Sequence, residues 1–143
     1  MGLIKQLCGK KVFLDTAPLI YFMETESTFL PVLEELFSPL HNCKFVTSVI
    51  TLSEVLVMPF RVGKLQLVEQ YMEILTMSEN IEIFDINIEI AKESAKIRAD
   101  YSIKTPDAIQ LATAKYSVVD YFLTNDFPLK SFKDLNVIKL ADL

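Results

Sequence analysis

Short apolar runs alternate with stretches in which apolar residues return every three or four positions, and this alternation organises the whole chain. KVFL (11–14) reads as a strand, followed by a helix through Ile20 and Phe22 with Pro18 in its first turn. Leu30, Leu33, Phe37 and Leu40 recur at helical spacing while Glu34 and Glu35 face elsewhere, which predicts a second helix. KFVTSV (44–49) reads as the next strand, and Thr51-Leu52-Ser53-Glu54 fits a capping box opening a helix that Pro59 ends or kinks. Leu65, Val68, Met72 and Leu75 mark another amphipathic helix, IEIF (81–84) a third strand, and Ile90, Ser94, Ile97 and Tyr101 one face of the helix after it. Thr105 is placed as an N-cap with Pro106 at the first helical position, and AIQLATA is apolar enough for a buried helix. YFLT (121–124) is a fourth strand and NVIKL a short fifth one at an edge. Strands alternating with helices predict an α/β fold with a mainly parallel sheet and right-handed crossovers, its strand order left open by the pattern.

Length and composition narrow the class. At 143 residues and 51% hydrophobic, the chain is sized for a single domain over residues 1–143, with no repeat and no low-complexity linker. The start MGLIKQLCGKK lacks the apolar centre of a signal peptide, and charges interrupt every apolar stretch before membrane-spanning length. A soluble, cytoplasmic protein is expected. Cys8 and Cys43 form no CxxC pair and are read as packing residues in a reduced compartment. His41 is the only histidine and lies in SPLHNCK, read as a solvated loop, so Ser-His-Asp and Cys-His chemistries rank low.

Four acids change the picture: Asp15 after the first strand, Glu54 after the second, Asp107 in KTPDAIQLATA and Asp126 in FLTNDF. Strand C-termini of a parallel sheet open onto one edge, where carboxylates distant in sequence converge and ligands bind. Two like charges about 4 Å apart repel by about 4 kcal/mol at an effective dielectric of about 20, so such a cluster calls for a cation or shared protons. A hard divalent metal is the natural partner of oxygen donors. Each acid also has an ordinary structural role: Asp15 as a helix cap, Glu54 in the capping box, Asp107 in a first helical turn, Asp126 in a turn. Taken singly, those roles are the better reading; their joint placement reverses the balance. Asp85, Asp100, Asp120 and Asp134 lack that context and are assigned to the surface or to element ends, Asp85 being the nearest decoy.

The net charge of −5 counts against phosphate binding, although ions bound among the acids would reverse the local field. Arg98, Lys104, Lys115, Lys130 and Lys133 lie in the same regions as two acidic motifs and are read mostly as solvated surface.

In VFLDTAPLIYF, TLSEVL, KTPDAIQLATA and FLTNDF the chain resembles PIN-domain ribonucleases, in particular the VapC-type toxins of toxin–antitoxin pairs. The order and spacing of the four motifs cover most of the chain, and TPDAIQLATA is the most specific. The resemblance implies a central five-stranded parallel sheet in the order 3-2-1-4-5 and an acidic Mg2+ or Mn2+ site of Asp15, Glu54, Asp107 and Asp126. Thr16 and Thr124 match the hydroxyl positions that accompany the first and last acid. The implied activity is endoribonucleolytic hydrolysis of RNA by activated water, leaving a 5′-phosphate and a 3′-hydroxyl. Implied partners are an RNA substrate, a second copy in a homodimer, and an antitoxin whose C-terminal segment covers the cleft with an arginine or lysine in place of metal. Two other readings compete: a PIN-like processing nuclease or binding module without an antitoxin, and a receiver-like phosphoacceptor domain built on Asp85, Thr124 and Lys139. The receiver reading fails where Thr16, not a second acid, follows Asp15, and it gives Glu54 and Asp107 no role.

Overall fold

A computed structural model describes residues 2–24 and 28–143, the side chains of Phe127 and Lys130 excepted. Five strands, β1 (Lys11–Leu14), β2 (Lys44–Ser48), β3 (Ile81–Phe84), β4 (Tyr121–Thr124) and β5 (Val137–Lys139), form one parallel sheet in the order β3-β2-β1-β4-β5. Among the described residues, seven α-helices accompany it: α1 (Gly2–Leu7), α2 (Thr16–Met23), α3 (Leu30–Leu36), α4 (Val49–Arg61), α5 (Leu65–Met77), α6 (Ile88–Asp100) and α7 (Thr105–Tyr116).

Because a strand turns successive side chains to opposite faces, β1 feeds both layers. Phe13 joins a core with Val46, Phe122, Ile90, Ile97 and the α7 residues Ala108, Leu111 and Ala112. Val12 and Leu14 face the other way, onto Leu7 of α1, Leu33 and Leu36 of α3, Phe45 and Leu123. A strand buried on both faces must be apolar throughout, as KVFL nearly is. Phe13 pairs in register with Phe122, their rings stacked at 4.9 Å and 3°, a contact type that adds about 0.5–1.5 kcal/mol beyond burial. A third cluster, Leu19, Val55, Tyr71 and Leu75, packs α2, α4 and α5 together, and the Tyr71 hydroxyl donates to Glu24 Oε2 at 2.7 Å.

Several local expectations are corrected. The capping box at Thr51 does not form: α4 begins earlier, at Val49, and Ser48 caps it by accepting from Ile50 N at 3.1 Å, so KFVTSV stops being strand at Ser48. Pro59 sits inside α4, which runs on to Arg61. The second helix ends at Leu36; Leu40 belongs to a 3-10 turn (Pro39–His41) and is 94% exposed, because Pro39 cannot supply the amide that would continue the helix. Thr105 is the first residue of α7 and Lys104 its cap, so the Thr105 hydroxyl does not cap the helix. Tyr71 rather than Met72 is buried on α5, Tyr101 lies just past α6, and α1 forms where no helix was expected. Lys115 is held by Glu93 at 3.0 Å and Asp134 at 3.1 Å, and Arg98 Nε donates to the Ile103 carbonyl, so both are engaged within the fold. Lys130 lies outside the described side chains.

Val118, just past α7, has φ +55 and is 78% exposed, whereas glycines fill the same left-handed region after α1 and α4. A β-branched residue there strains the backbone by about 1–2 kcal/mol with no packing in return. Val118→Gly is expected to raise the unfolding free energy by about 0.5–1 kcal/mol, the lower unfolded-state restraint of glycine offsetting part of the gain, read as a higher urea midpoint.

Candidate active site

Parallel register brings the ends of β1, β2 and β4 to one edge of the sheet. Leu14 pairs with Leu123, so Asp15 and Thr124 are neighbours although 109 positions apart, and Asp15 N extends the ladder to the Leu123 carbonyl at 3.0 Å. Asp15 is also the N-cap of α2, with Oδ1 accepting from Thr16 N at 2.9 Å. Its Oδ2 accepts from Thr124 Oγ1 at 2.7 Å, and Thr124 Oγ1 in turn accepts from Asp126 N at 3.0 Å. One hydroxyl thus receives an amide proton and passes its own to a carboxylate, the arrangement that fixes its rotor. Glu54 stands one and a half turns into α4 and accepts from Thr16 Oγ1 at 2.5 Å, which ties α4 to the start of α2. Asp107 sits in the first turn of α7, where the positive helix end favours an anion.

All six side chains singled out in the sequence, Asp15, Thr16, Glu54, Asp107, Thr124 and Asp126, line one cleft of about 630 Å³. Tyr21 and Asn125 line it as well and had not been singled out. The structure also contradicts the reading of His41 as a solvated loop residue. Its Nδ1 lies 2.9 Å from Cys8 Sγ, with the side chain 21% exposed, at the opposite end of the strands from the acids. Asp85, Asp100, Asp120 and Asp134 are not among the residues lining the cleft; Asp120 instead accepts from Lys11 N at 2.9 Å.

The electrostatics are those of a site short of positive charge. Asp15 is 8% exposed, and burial pushes its carboxyl above the usual range despite the bonds from Thr124, Thr16 N and Gln110, with the Glu54 charge adding to the rise. Asp107 is pushed up to about 6, first by burial and then by the charges of Asp15, Asp126 and Glu54, with only Lys104 acting the other way. The four carboxylates offer hard oxygen donors and no sulfur or imidazole, a donor set matched to Mg2+ or Mn2+ rather than zinc. Among the described residues, no three Asp, Glu, His or Cys side chains form a ready coordination shell. A ring of acids at wider spacing suits an ion that keeps several of its waters.

Fold and cleft together define an α/β protein with an acidic centre at the C-terminal edge of its sheet. The chain belongs to the PIN domain family, whose description matches residues 12–135. Among solved structures it is similar to a chain of a toxin–antitoxin complex from Klebsiella pneumoniae, at 25% identity and TM-score 0.70, over 90% of this chain and 97% of that one. It is similar in fold to FitAcB from Neisseria gonorrhoeae, at 19% identity and TM-score 0.67, over 92% and 99% of the two chains. The same holds for Mycobacterium tuberculosis VapC20, described as a Sarcin-Ricin loop cleaving toxin, at 14% identity and TM-score 0.66, over 87% and 98%. Comparison with curated proteins finds no match.

The raised Asp107 carboxyl makes the metal-free protein pH-sensitive in a defined direction. Its proton is held more tightly folded than unfolded, so this stabilising contribution is full below about pH 4 and is lost as pH rises through about 6. In EDTA, Asp107→Asn is therefore expected to be more stable than wild type at pH 7.5, the difference closing towards pH 4, as measured by urea unfolding across that range.

Proposed function

We propose that this chain is a divalent-metal-dependent endoribonuclease of one nuclease domain, the toxin of a toxin–antitoxin pair, acting in the cytoplasm. The observation that carries the proposal is the meeting of Asp15, Glu54, Asp107 and Asp126, with Thr16 and Thr124, on a single cleft. Membership of the PIN domain family and likeness to chains of toxin–antitoxin complexes support it. Among the described residues, no helix is long and apolar enough to cross a membrane.

In this reading Asp15, Asp107 and Asp126 hold Mg2+ or Mn2+, directly or through water, with Glu54 beside them. When bound, the ion lowers the pKa of water and offsets charge that develops on the phosphate. The protein supplies the rest. Asp15, buried and held on both oxygens, is the rigid member that sets where the other acids act. Glu54 is the exposed acid, restrained by Thr16, and is suited to orient attacking water and take its proton. No covalent enzyme intermediate is needed, and in-line attack by water leaves a 5′-phosphate and a 3′-hydroxyl.

The partners follow from the same surface. An antitoxin segment carrying arginine or lysine would satisfy the acids in place of metal, and a second copy of the chain would complete a homodimer. Exposed apolar residues at the end of α4 and the start of α5, among them Val57, Met58, Phe60, Val62 and Leu65, are available for such contacts.

Incubated with total cellular RNA and Mg2+ or Mn2+, the purified protein is expected to give discrete fragments with 5′-phosphate ends, and none with EDTA or with Asp107→Asn. Fragments ending in 2′,3′-cyclic phosphate would contradict the mechanism. Saturating Mn2+ should also stabilise the wild type by about 2.7 kcal/mol at one hundred times its dissociation constant, and Asp107→Asn far less, as read by thermal unfolding.

A further inference from the structure

Gln110 is the one buried amide of α7, 1% exposed between Ile109 and Leu111 on a helix whose neighbouring positions are apolar. Burying an amide is costly unless each polar atom finds a partner. Here each does. Ser48 Oγ accepts from Ile50 N at 3.1 Å, so its own proton is free to go to Gln110 Oε1. At the other end of the amide, Asp15 Oδ1 already accepts from Thr16 N and calls for a donor, which assigns that end as Nε2. The two protons of Nε2 then point at Thr51 Oγ1, 2.6 Å away, and at Asp15 Oδ1, 3.4 Å away.

We propose that Gln110 is a positioning residue of the acidic site: it sets the orientation of the Asp15 carboxylate and couples it to the first turn of α4, the helix that carries Glu54. The assignment rests on the nuclease reading above and deepens it. Thr16 N and Gln110 both donate to Oδ1 and Thr124 donates to Oδ2, so three of the carboxylate's roughly four acceptor positions are taken and the remaining one lies on Oδ2. A carboxylate held only by Thr16 N and Thr124 could still tilt about those two bonds; a third donor from a separate helix removes that freedom. Ser48 and Thr51 flank the start of α4, so the same amide that steadies Asp15 also sets the position of that helix relative to β1. Partners that orient metal-holding groups are commonly worth about 10- to 100-fold in metal affinity or activity.

Three variants test this. Gln110→Met keeps the volume and removes every hydrogen bond; Gln110→Glu keeps an acceptor for Ser48 and replaces the donors facing Asp15 and Thr51; Thr51→Val keeps Gln110 and removes one of its anchors, which serves should the Gln110 variants not fold. Mn2+ binding by calorimetry and steady-state cleavage of the RNA cut by the wild type are measured on each folded protein. Expected are a Mn2+ dissociation constant raised about tenfold and a kcat lowered about tenfold or more for the Gln110 variants, with KM for RNA within about twofold, and a smaller shift in the same direction for Thr51→Val. Folded variants of lower stability whose Mn2+ affinity and kcat equal those of the wild type would show a purely structural amide and overturn the proposal alone. A wild type that neither binds Mn2+ nor cuts RNA would instead overturn the nuclease reading, and this assignment with it.

Discussion

A carboxylate buried at the end of the central strand is the constraint around which the rest of this structure is arranged. Asp15 stands where β1 runs out between two other strands, so it is largely shielded from bulk water and depends on what the fold places beside it. Register supplies Thr124, the turn into α2 supplies a backbone amide, and α7 supplies Gln110. Each donor comes from a different element, so the sheet order, the entry of α2 and the seating of α7 are all tied to one acidic side chain. Even with these bonds burial keeps its carboxyl raised, which leaves the edge of the sheet in electrostatic deficit.

Much of this was legible in the chain because it follows from local patterns. The strands are short, apolar and bounded by polar residues, and KVFL and YFLT could hardly be anything but buried on both faces. The convergence of the four acids on one cleft was legible for a different reason: Asp15, Asp107 and Asp126 stand at strand ends or helix starts, Glu54 lies in the helix that follows β2, and a parallel sheet gathers those places at one edge. Strand order was not legible from periodicity, since every permutation of the same strands shows the same pattern; only the resemblance to a known family implied it, and the sheet has that order.

What escaped reading was set by tertiary partners. Thr51 and Glu54 have the spacing of a capping box, yet Ser48 wins the cap because β2 ends there, leaving Thr51 to meet Gln110 and Glu54 to meet Thr16. Leu40 fits a helical stripe by count, but Pro39 breaks the backbone before the stripe can continue. His41 and Cys8 are 33 positions apart and meet only because the turn before β2 packs on α1's end. Gln110 did leave a trace, as the one amide in AIQLATA. A polar residue inside a run apolar enough to be buried has to be bonded to something, and that something was worth seeking.

The structural and functional readings of the acids are therefore not rivals. Asp15 caps α2, Asp107 lies in the first turn of α7 and Asp126 opens the 3-10 turn after β4, so three of the four occupy helix starts. A helix N-terminus partly compensates a negative charge, by about 0.3–1 kcal/mol at exposed positions and up to about 2 when partly buried. That does not offset the burial of Asp107 together with the charges of the carboxylates sharing its cleft, which is why Asp107 remains raised to about 6 in spite of its helix. Helix starts thus let the acids assemble without unfolding the protein, yet leave them short of the positive charge needed to neutralise them. In the function proposed above, that residual deficit is what would draw a cation to the cleft, whether an ion or the basic side chain of a partner.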